Sequence, residues 1–93
     1  KDIVTSPLSA HLYVYFGTKV GIPLRRLTEH LRALRFTPFG QSQVTWAIDN
    51  CQGNDFEDAL QVACAVTSGC DMFVTLDKKL AAQYGQFIKM KVL

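Results

Sequence analysis

Three acidic residues in the second half of the chain have the type and placement that metal chemistry needs. Asp55 and Asp58 stand at the head of an amphipathic segment, and Asp77 follows the short apolar strand predicted at Met72–Val74. In an open α/β sheet, ligands bind at the carboxyl ends of the strands, beside the facing helix ends. Carboxylates gathered there suit a hard cation such as Mg²⁺. The pattern therefore predicts an acidic metal site within residues 55–80.

The elements that must position these acids follow from the hydrophobic periodicity, which predicts the order βα-α-β-α-α-βα-β. After a first strand at Ile3–Thr5, Ser6-Pro7 has the form of an N-cap followed by proline at the first helical position. Two amphipathic helices come next. The first is predicted to carry Leu8, Leu12, Tyr15 and Phe16 on one face. In the second, Leu24, Leu27, Leu31 and Leu34 recur at three- and four-residue steps.

The second half repeats this alternation of helices and strands. After a short strand near Arg35-Phe36, we predict a helix over 42–50 and another that Asp55 caps. Met72–Val74 is a continuous apolar run, which predicts a strand of a parallel sheet buried on both faces. A helix over 77–84 and a strand within 87–93 close the chain. The predicted buried residues are Val44, Ala47 and Ile48, then Phe56, Ala59, Leu60, Ala63 and Val66. This order predicts an α/β sandwich with a largely parallel sheet.

Length and charge limit the function classes. The 93 residues suffice for one domain, 1–93, and 48% hydrophobic against 19% charged residues is the composition of a globular core. Residues 1–40 carry six Lys or Arg and two acids, a net charge of +4, whereas residues 41–93 carry four Lys and six acids, a net charge of −2. A basic half beside an acidic half suits a polyanion and a metal ion. Two ordinary solvated surfaces explain the same charges equally well.

The cysteines and the lack of a long apolar run indicate where the protein works. Cys51, Cys64 and Cys70 form no CxxC pair, and their odd number fits a reducing cytoplasm. We expect Cys64 and Cys70 to pack as small hydrophobic side chains. No apolar run approaches the roughly 18 residues that a membrane span needs. The expectation is a cytoplasmic protein without membrane partners.

Residues 55–80 resemble the PIN domain family, Mg²⁺- or Mn²⁺-dependent ribonucleases that include the VapC toxins of toxin–antitoxin pairs. The resemblance lies in three stretches, Asp58-Ala59-Leu60, Gly69-Cys70-Asp71 and Val74-Thr75-Leu76-Asp77-Lys78. Ser6–Ser9 is similar to the family's second strand-to-helix junction, and Ile88–Leu93 to its closing strand. The resemblance implies a three-layer α/β/α sandwich.

The resemblance also implies a site and its partners. Asp58 and Asp77 would be the catalytic, metal-binding acids, with Thr75 as the hydroxyl just before the second of them. The reaction would be hydrolysis of RNA phosphodiester bonds assisted by Mg²⁺ or Mn²⁺. RNA would be the substrate, a small antitoxin protein a partner, and a homodimer the assembly.

Two departures from the family pattern give a rival hypothesis. The family's first acid, in an Asp-Thr-Asn-like motif on an N-terminal strand, has no counterpart, so we expect a partial domain whose first strand lies upstream. His11-Leu12 stands where the family commonly has a Glu. With one acid absent and another replaced, the chain could instead be a catalytically inactive PIN-like module that binds RNA or a protein.

Several candidate residues also have ordinary explanations. Asp58 and Asp77 could serve only as carboxylates that cap or stabilise helix starts. Asp55 is more simply explained as a helix cap than as a metal ligand. His11 is more simply explained as an ordinary histidine on a helix. Lys78 and Lys79 could contact a phosphate backbone or be merely solvated. Arg25, with Arg26 and Arg32, could form an RNA-binding stripe or only the polar face opposite the leucines. Trp46 is expected to anchor the core or a partner interface.

Overall fold

The computed structural model describes residues 3–93, so Lys1 and Asp2, which were counted in the basic half, lie outside the described residues. Over that range the chain is α/β, with five helices and four short strands in the predicted order. It divides into two compact units, Lys1–Thr37 and Pro38–Leu93, called here the N-terminal and the C-terminal unit. Within residues 3–93, no helix combines the length and apolar character needed to span a membrane.

The N-terminal unit is a βααβ arrangement. Its elements are β1 (Val4–Thr5), α1 (Pro7–Lys19), α2 (Leu24–Arg32) and β2 (Arg35–Phe36). The two strands pair in parallel, with Val4 opposite Arg35. The predicted cap of α1 is confirmed, because Ser6 Oγ accepts the Ser9 N–H at 3.0 Å and Pro7 opens the helix.

One close contact joins the two helices of this unit. Leu27 of α2 is fully buried, and it packs where α1 carries Gly17. A Cβ at Gly17 would lie 2.6 Å from Leu27 Cδ2, which is inside van der Waals contact. The lack of a side chain at Gly17 therefore lets α2 approach α1.

The predicted apolar faces of these two helices are covered only in part. Tyr15 is 46% and Phe16 57% exposed, and none of residues 7–19 is fully buried. In α2 only Leu27 is buried, whereas Leu24 and Leu34 are exposed. In this unit α1 packs mainly against α2, so much of the apolar surface of both helices stays exposed.

We expect Gly17→Ala to lower the free energy of unfolding by up to about 2 kcal/mol. Overpacking costs about 1–3 kcal/mol, and the helix-propensity gain of alanine over glycine, about 1 kcal/mol, offsets only part of that cost. Urea unfolding of the variant measures the change. The same substitution in a Leu27→Ala background should be tolerated, since the clashing atoms are gone. An equal loss in both backgrounds would contradict the contact.

The C-terminal unit carries the acids. Its elements are α3 (Gln41–Asn50), α4 (Phe56–Thr67), β3 (Met72–Thr75), α5 (Lys78–Tyr84) and β4 (Lys89–Val92). Strands β3 and β4 are parallel, with Met72 opposite Lys89 and Thr75 opposite Val92. The predicted parallel pairing is thus confirmed, but the described strands form two two-stranded sheets, β1-β2 and β3-β4, where a single sheet was predicted.

Helix α4 lies at the centre of this unit. The buried cluster consists of Ala47, Ala59, Val62, Ala63, Ala65, Leu80, Tyr84 and Ile88. Alanines on α3 and α4 let the two helices pack closely, and Gln43 ties them together through Nε2, which donates to Thr67 Oγ1 at 2.9 Å. Trp46 packs edge-on against Phe87 with ring centroids 5.1 Å apart, the core role predicted for it. Cys64 is buried, and Cys70 packs against the cluster, as expected.

Other burial predictions for this unit are wrong. Strand β3 is not buried on both faces, since Met72 and Val74 are exposed while Phe73 packs against the core. Successive side chains of a strand point to opposite sides, and the core of this unit covers only one of them. Ile48 and Phe56, predicted to be buried, are 65% and 41% exposed.

Candidate functional site

Two of the acids lie at the start of α4. Asp55 is the N-cap, because its Oδ1 accepts the Asp58 N–H at 3.2 Å, and the predicted cap is confirmed. Asp58 occupies the third position of the helix, where a carboxylate also interacts favourably with the helix dipole. Its side chain is partly buried, whereas that of Asp55 is exposed. The helix start therefore presents one capping carboxylate and one half-buried carboxylate.

The third acid stands at the turn from β3 to α5. Asp77 is the N-cap of α5, and its Oδ1 accepts the N–H groups of Lys79 at 2.9 Å and of Leu80 at 3.1 Å. Thr75 Oγ1 accepts the Asp77 N–H at 3.0 Å. The Thr-x-Asp sequence thus holds its own turn, and the Thr75 hydroxyl positions Asp77.

Electrostatics couple the acids of the two helix starts. The pKa of Asp58 is raised above its ordinary value of 3.8, first by burial and then by the neighbouring carboxylates of Asp55, Asp77 and Glu57. Lys79 acts in the opposite direction and lowers the pKa. The fold therefore places Asp58 and Asp77, the two acids singled out from the sequence, within electrostatic reach of each other.

This arrangement could use a cation, but it offers few ligands. A divalent ion would relieve the repulsion that raises the Asp58 pKa, and carboxylate oxygens are the donors that Mg²⁺ prefers. Among residues 3–93, no three His, Cys, Asp or Glu side chains lie close enough to hold one ion. Charges interact over longer distances than the ligands of one metal ion span. The electrostatic coupling of Asp58 with its neighbours is therefore compatible with the lack of a three-ligand group among residues 3–93. A site that used only Asp58 and Asp77 would need water to complete the coordination shell, as Mg²⁺ commonly allows.

A buried tyrosine holds the loop that leads into α4. Tyr84 is fully buried, and its hydroxyl accepts the Gln52 N–H at 2.8 Å and donates to the Gln52 carbonyl at 3.3 Å. Burial raises the pKa of the Tyr84 hydroxyl. The same loop contains Gly53 at φ +76°, a left-handed conformation that glycine adopts without strain. Sequence reasoning missed Tyr84, although a tyrosine one turn after Leu80 on a buried helix face needs a partner for its hydroxyl.

We expect Tyr84→Phe to lower the free energy of unfolding by about 1–2 kcal/mol. The substitution keeps the ring but leaves the Gln52 N–H and carbonyl without their partner. Urea unfolding measures the loss. Tyr13→Phe is the matched control, because it removes a hydroxyl from an exposed pair with His30 Nδ1 and should cost under about 0.5 kcal/mol. Equal losses of unfolding free energy in the two variants would argue against a stabilising role for the hydrogen bonds between Tyr84 and Gln52.

The remaining predicted site residues are spread over both units. Lys78 is exposed at the first position of α5, but Lys79 is the lysine whose charge affects Asp58. Arg25 is exposed on α2 in the N-terminal unit. Arg32, also on α2, lies 3.6 Å from Glu29 in an exposed pair that contributes little stability. His11 is exposed on α1 and stacks against Tyr15.

Comparison with family models, curated proteins and solved structures finds no match to this chain.

Proposed function

We propose that this chain is a PIN-like, metal-dependent endoribonuclease that hydrolyses phosphodiester bonds in RNA. The observation that carries the proposal is the coupling of a helix-head acid, Asp58, with a strand-end acid, Asp77, which contributes to the raised pKa of Asp58. The parallel strand pairs and the order of elements are consistent with it. We also propose that the complete domain is a three-layer α/β/α sandwich of the PIN type.

Separate residues of the chain would bind the metal ion, position its ligands and attract the RNA. Asp58 and Asp77 would hold Mg²⁺ or Mn²⁺, which when bound supplies Lewis-acid stabilisation of the developing phosphate charge. Thr75 holds the backbone of Asp77, and the N–H groups of α5 orient its carboxylate. Lys79, whose charge reaches Asp58, and the exposed Lys78 would attract the phosphate backbone. Arg25 of the N-terminal unit would contribute only general attraction for RNA.

The same resemblance extends the proposal to partners and location. A small antitoxin protein would regulate the nuclease, a second copy of the chain would form a homodimer, and the protein would act in the cytoplasm. The free cysteines Cys51, Cys64 and Cys70 are compatible with a reducing compartment.

A Mn²⁺ titration followed by NMR line broadening tests the metal site directly. We expect selective broadening of the amides around Asp58 and Asp77, which Mg²⁺ in excess should reverse. Asp71→Asn is the control, since it removes one exposed carboxylate outside the pair and should leave the pattern unchanged. Broadening spread evenly over all acidic residues, or centred elsewhere, would contradict the site.

One observation favours a second candidate, a catalytically inactive PIN-like module that binds RNA or protein. Within the described part of the chain, the acids form no group of three metal ligands. RNA binding that neither needs nor responds to Mg²⁺ or Mn²⁺, without cleavage, would select this alternative.

A further inference from the structure

Helix α1 presents an exposed row of rings that ends in a cation. His11, Tyr15 and Lys19 recur at four-residue steps, which places them on one helix face. The His11 and Tyr15 rings stack with centroids 6.3 Å apart, and Lys19 Nζ lies 4.8 Å from the Tyr15 centroid. Phe16 meets Tyr15 edge-on at 5.1 Å. We call His11, Tyr15, Phe16 and Lys19 the aromatic face.

Core packing does not account for this face. Tyr15 and Phe16 are 46% and 57% exposed, and they contact each other while remaining open to solvent. Beside Phe16 the surface of α1 is open and mainly apolar, and it is formed by Ser9, Leu12, Tyr13, Phe16, Gly17 and Val20. Contiguous exposed apolar surface of this kind marks binding sites in proteins.

The charge of the N-terminal unit indicates what binds there. Residues 3–37 carry five Lys or Arg and one acid, a net charge of +4. That acid, Glu29, lies beside Arg32 and is partly neutralised by it. Lys19 supplies the positive charge of the aromatic face itself, and the unit around it is basic as a whole. Exposed rings in a basic unit are complementary to a polyanion that also offers flat, apolar rings.

We propose that the aromatic face binds single-stranded nucleic acid. Unpaired bases stack on Phe16 and on Tyr15, and Lys19, which lies over the Tyr15 ring in the free chain, moves from that ring to the adjoining phosphate. His11 to Lys19 spans about 12 Å of helix, which is room for two or three nucleotides. A duplex is excluded, because its bases already stack on one another. The inference goes beyond the acidic site, since it concerns the N-terminal unit and needs neither Asp58 nor Asp77.

Fluorescence anisotropy with labelled 12-mers of U or dT, in EDTA, tests this binding apart from metal and cleavage. We expect Tyr15→Ala and Phe16→Ala each to weaken binding by about 5- to 150-fold, the effect of losing one stacked base. Tyr15→Phe keeps the ring and should keep the affinity. Tyr15→Leu keeps an apolar side chain and should lose it. Phe39→Ala, which removes a ring of similar exposure from the C-terminal unit, is the matched control.

The results separate the possible occupants. Tighter binding of U than dT would identify RNA as the ligand, and equal binding would identify single strands of either kind; both support the proposal. Unchanged affinity in the two alanine variants, or equal affinity for a 12-base-pair duplex, would overturn it. So would loss of self-association in those variants with no loss of oligonucleotide binding, because the face would then be a protein interface.

Discussion

Asp58→Asn and Asp77→Asn should each lower metal-dependent RNA cleavage by at least about 100-fold. Removing a group that merely supports a metal ligand already costs up to about 100-fold in affinity or activity, and here each variant removes one of two proposed ligands. The charge of Asp77 reaches Asp58, whose pKa is raised first by burial and then by the neighbouring carboxylates. The measurement is the initial rate of cleavage of a labelled single-stranded RNA in Mn²⁺.

The asparagine variants should keep the fold. Asparagine caps a helix about as well as aspartate, so the bonds from the Lys79 and Leu80 N–H groups to residue 77 can persist. Asp71→Asn makes the same charge change at an exposed position before β3 and should cleave normally. Cleavage at the wild-type rate by either site variant would remove that residue from the mechanism. A wild-type chain that binds RNA but never cleaves it would favour the inactive module.

Acidification should weaken Mn²⁺ binding steeply, by about tenfold per pH unit once the pH falls below the pKa of Asp58. A carboxylate must lose its proton to bind a metal ion, and the pKa of Asp58 is raised above 3.8, so protons compete at a higher pH than for an ordinary aspartate. Mn²⁺ titrations across a pH series measure the slope. Affinity independent of pH down to 3.8 would show that Asp58 is not a ligand.

The metal-free protein should respond to pH in the opposite sense. Folding disfavours the ionised form of Asp58. The resulting loss of unfolding free energy is absent below pH 3.8, grows as the pH rises from 3.8 to the raised pKa, and is complete above that pKa. Asp58→Asn removes this cost and should therefore stabilise the metal-free protein at neutral pH while abolishing metal binding. Urea unfolding of both proteins at several pH values tests this. A difference in stability between the two proteins that does not change with pH would contradict the raised pKa of Asp58.

Local sequence was enough to predict the helix starts. Ser6-Pro7, Asp55 and Asp77 cap their helices as their residue types indicate, because a cap bonds to N–H groups two or three residues away. The order of all nine elements and the parallel pairing followed from periodicity in the same way. The alternation of hydrophobic residues is itself a local property.

Burial and charge coupling were decided by the tertiary structure. The apolar side chains of α1 were readable in the sequence, but Tyr15 and Phe16 are exposed in the structure, and the core covers only one side of β3. Lys79, rather than Lys78, affects Asp58, and Tyr84 reaches back to Gln52 across 32 positions. The sequence by itself determined which elements form and which acids cap them. Only the tertiary structure decided which side chains meet, because burial and Coulomb interactions depend on neighbours distant in the chain.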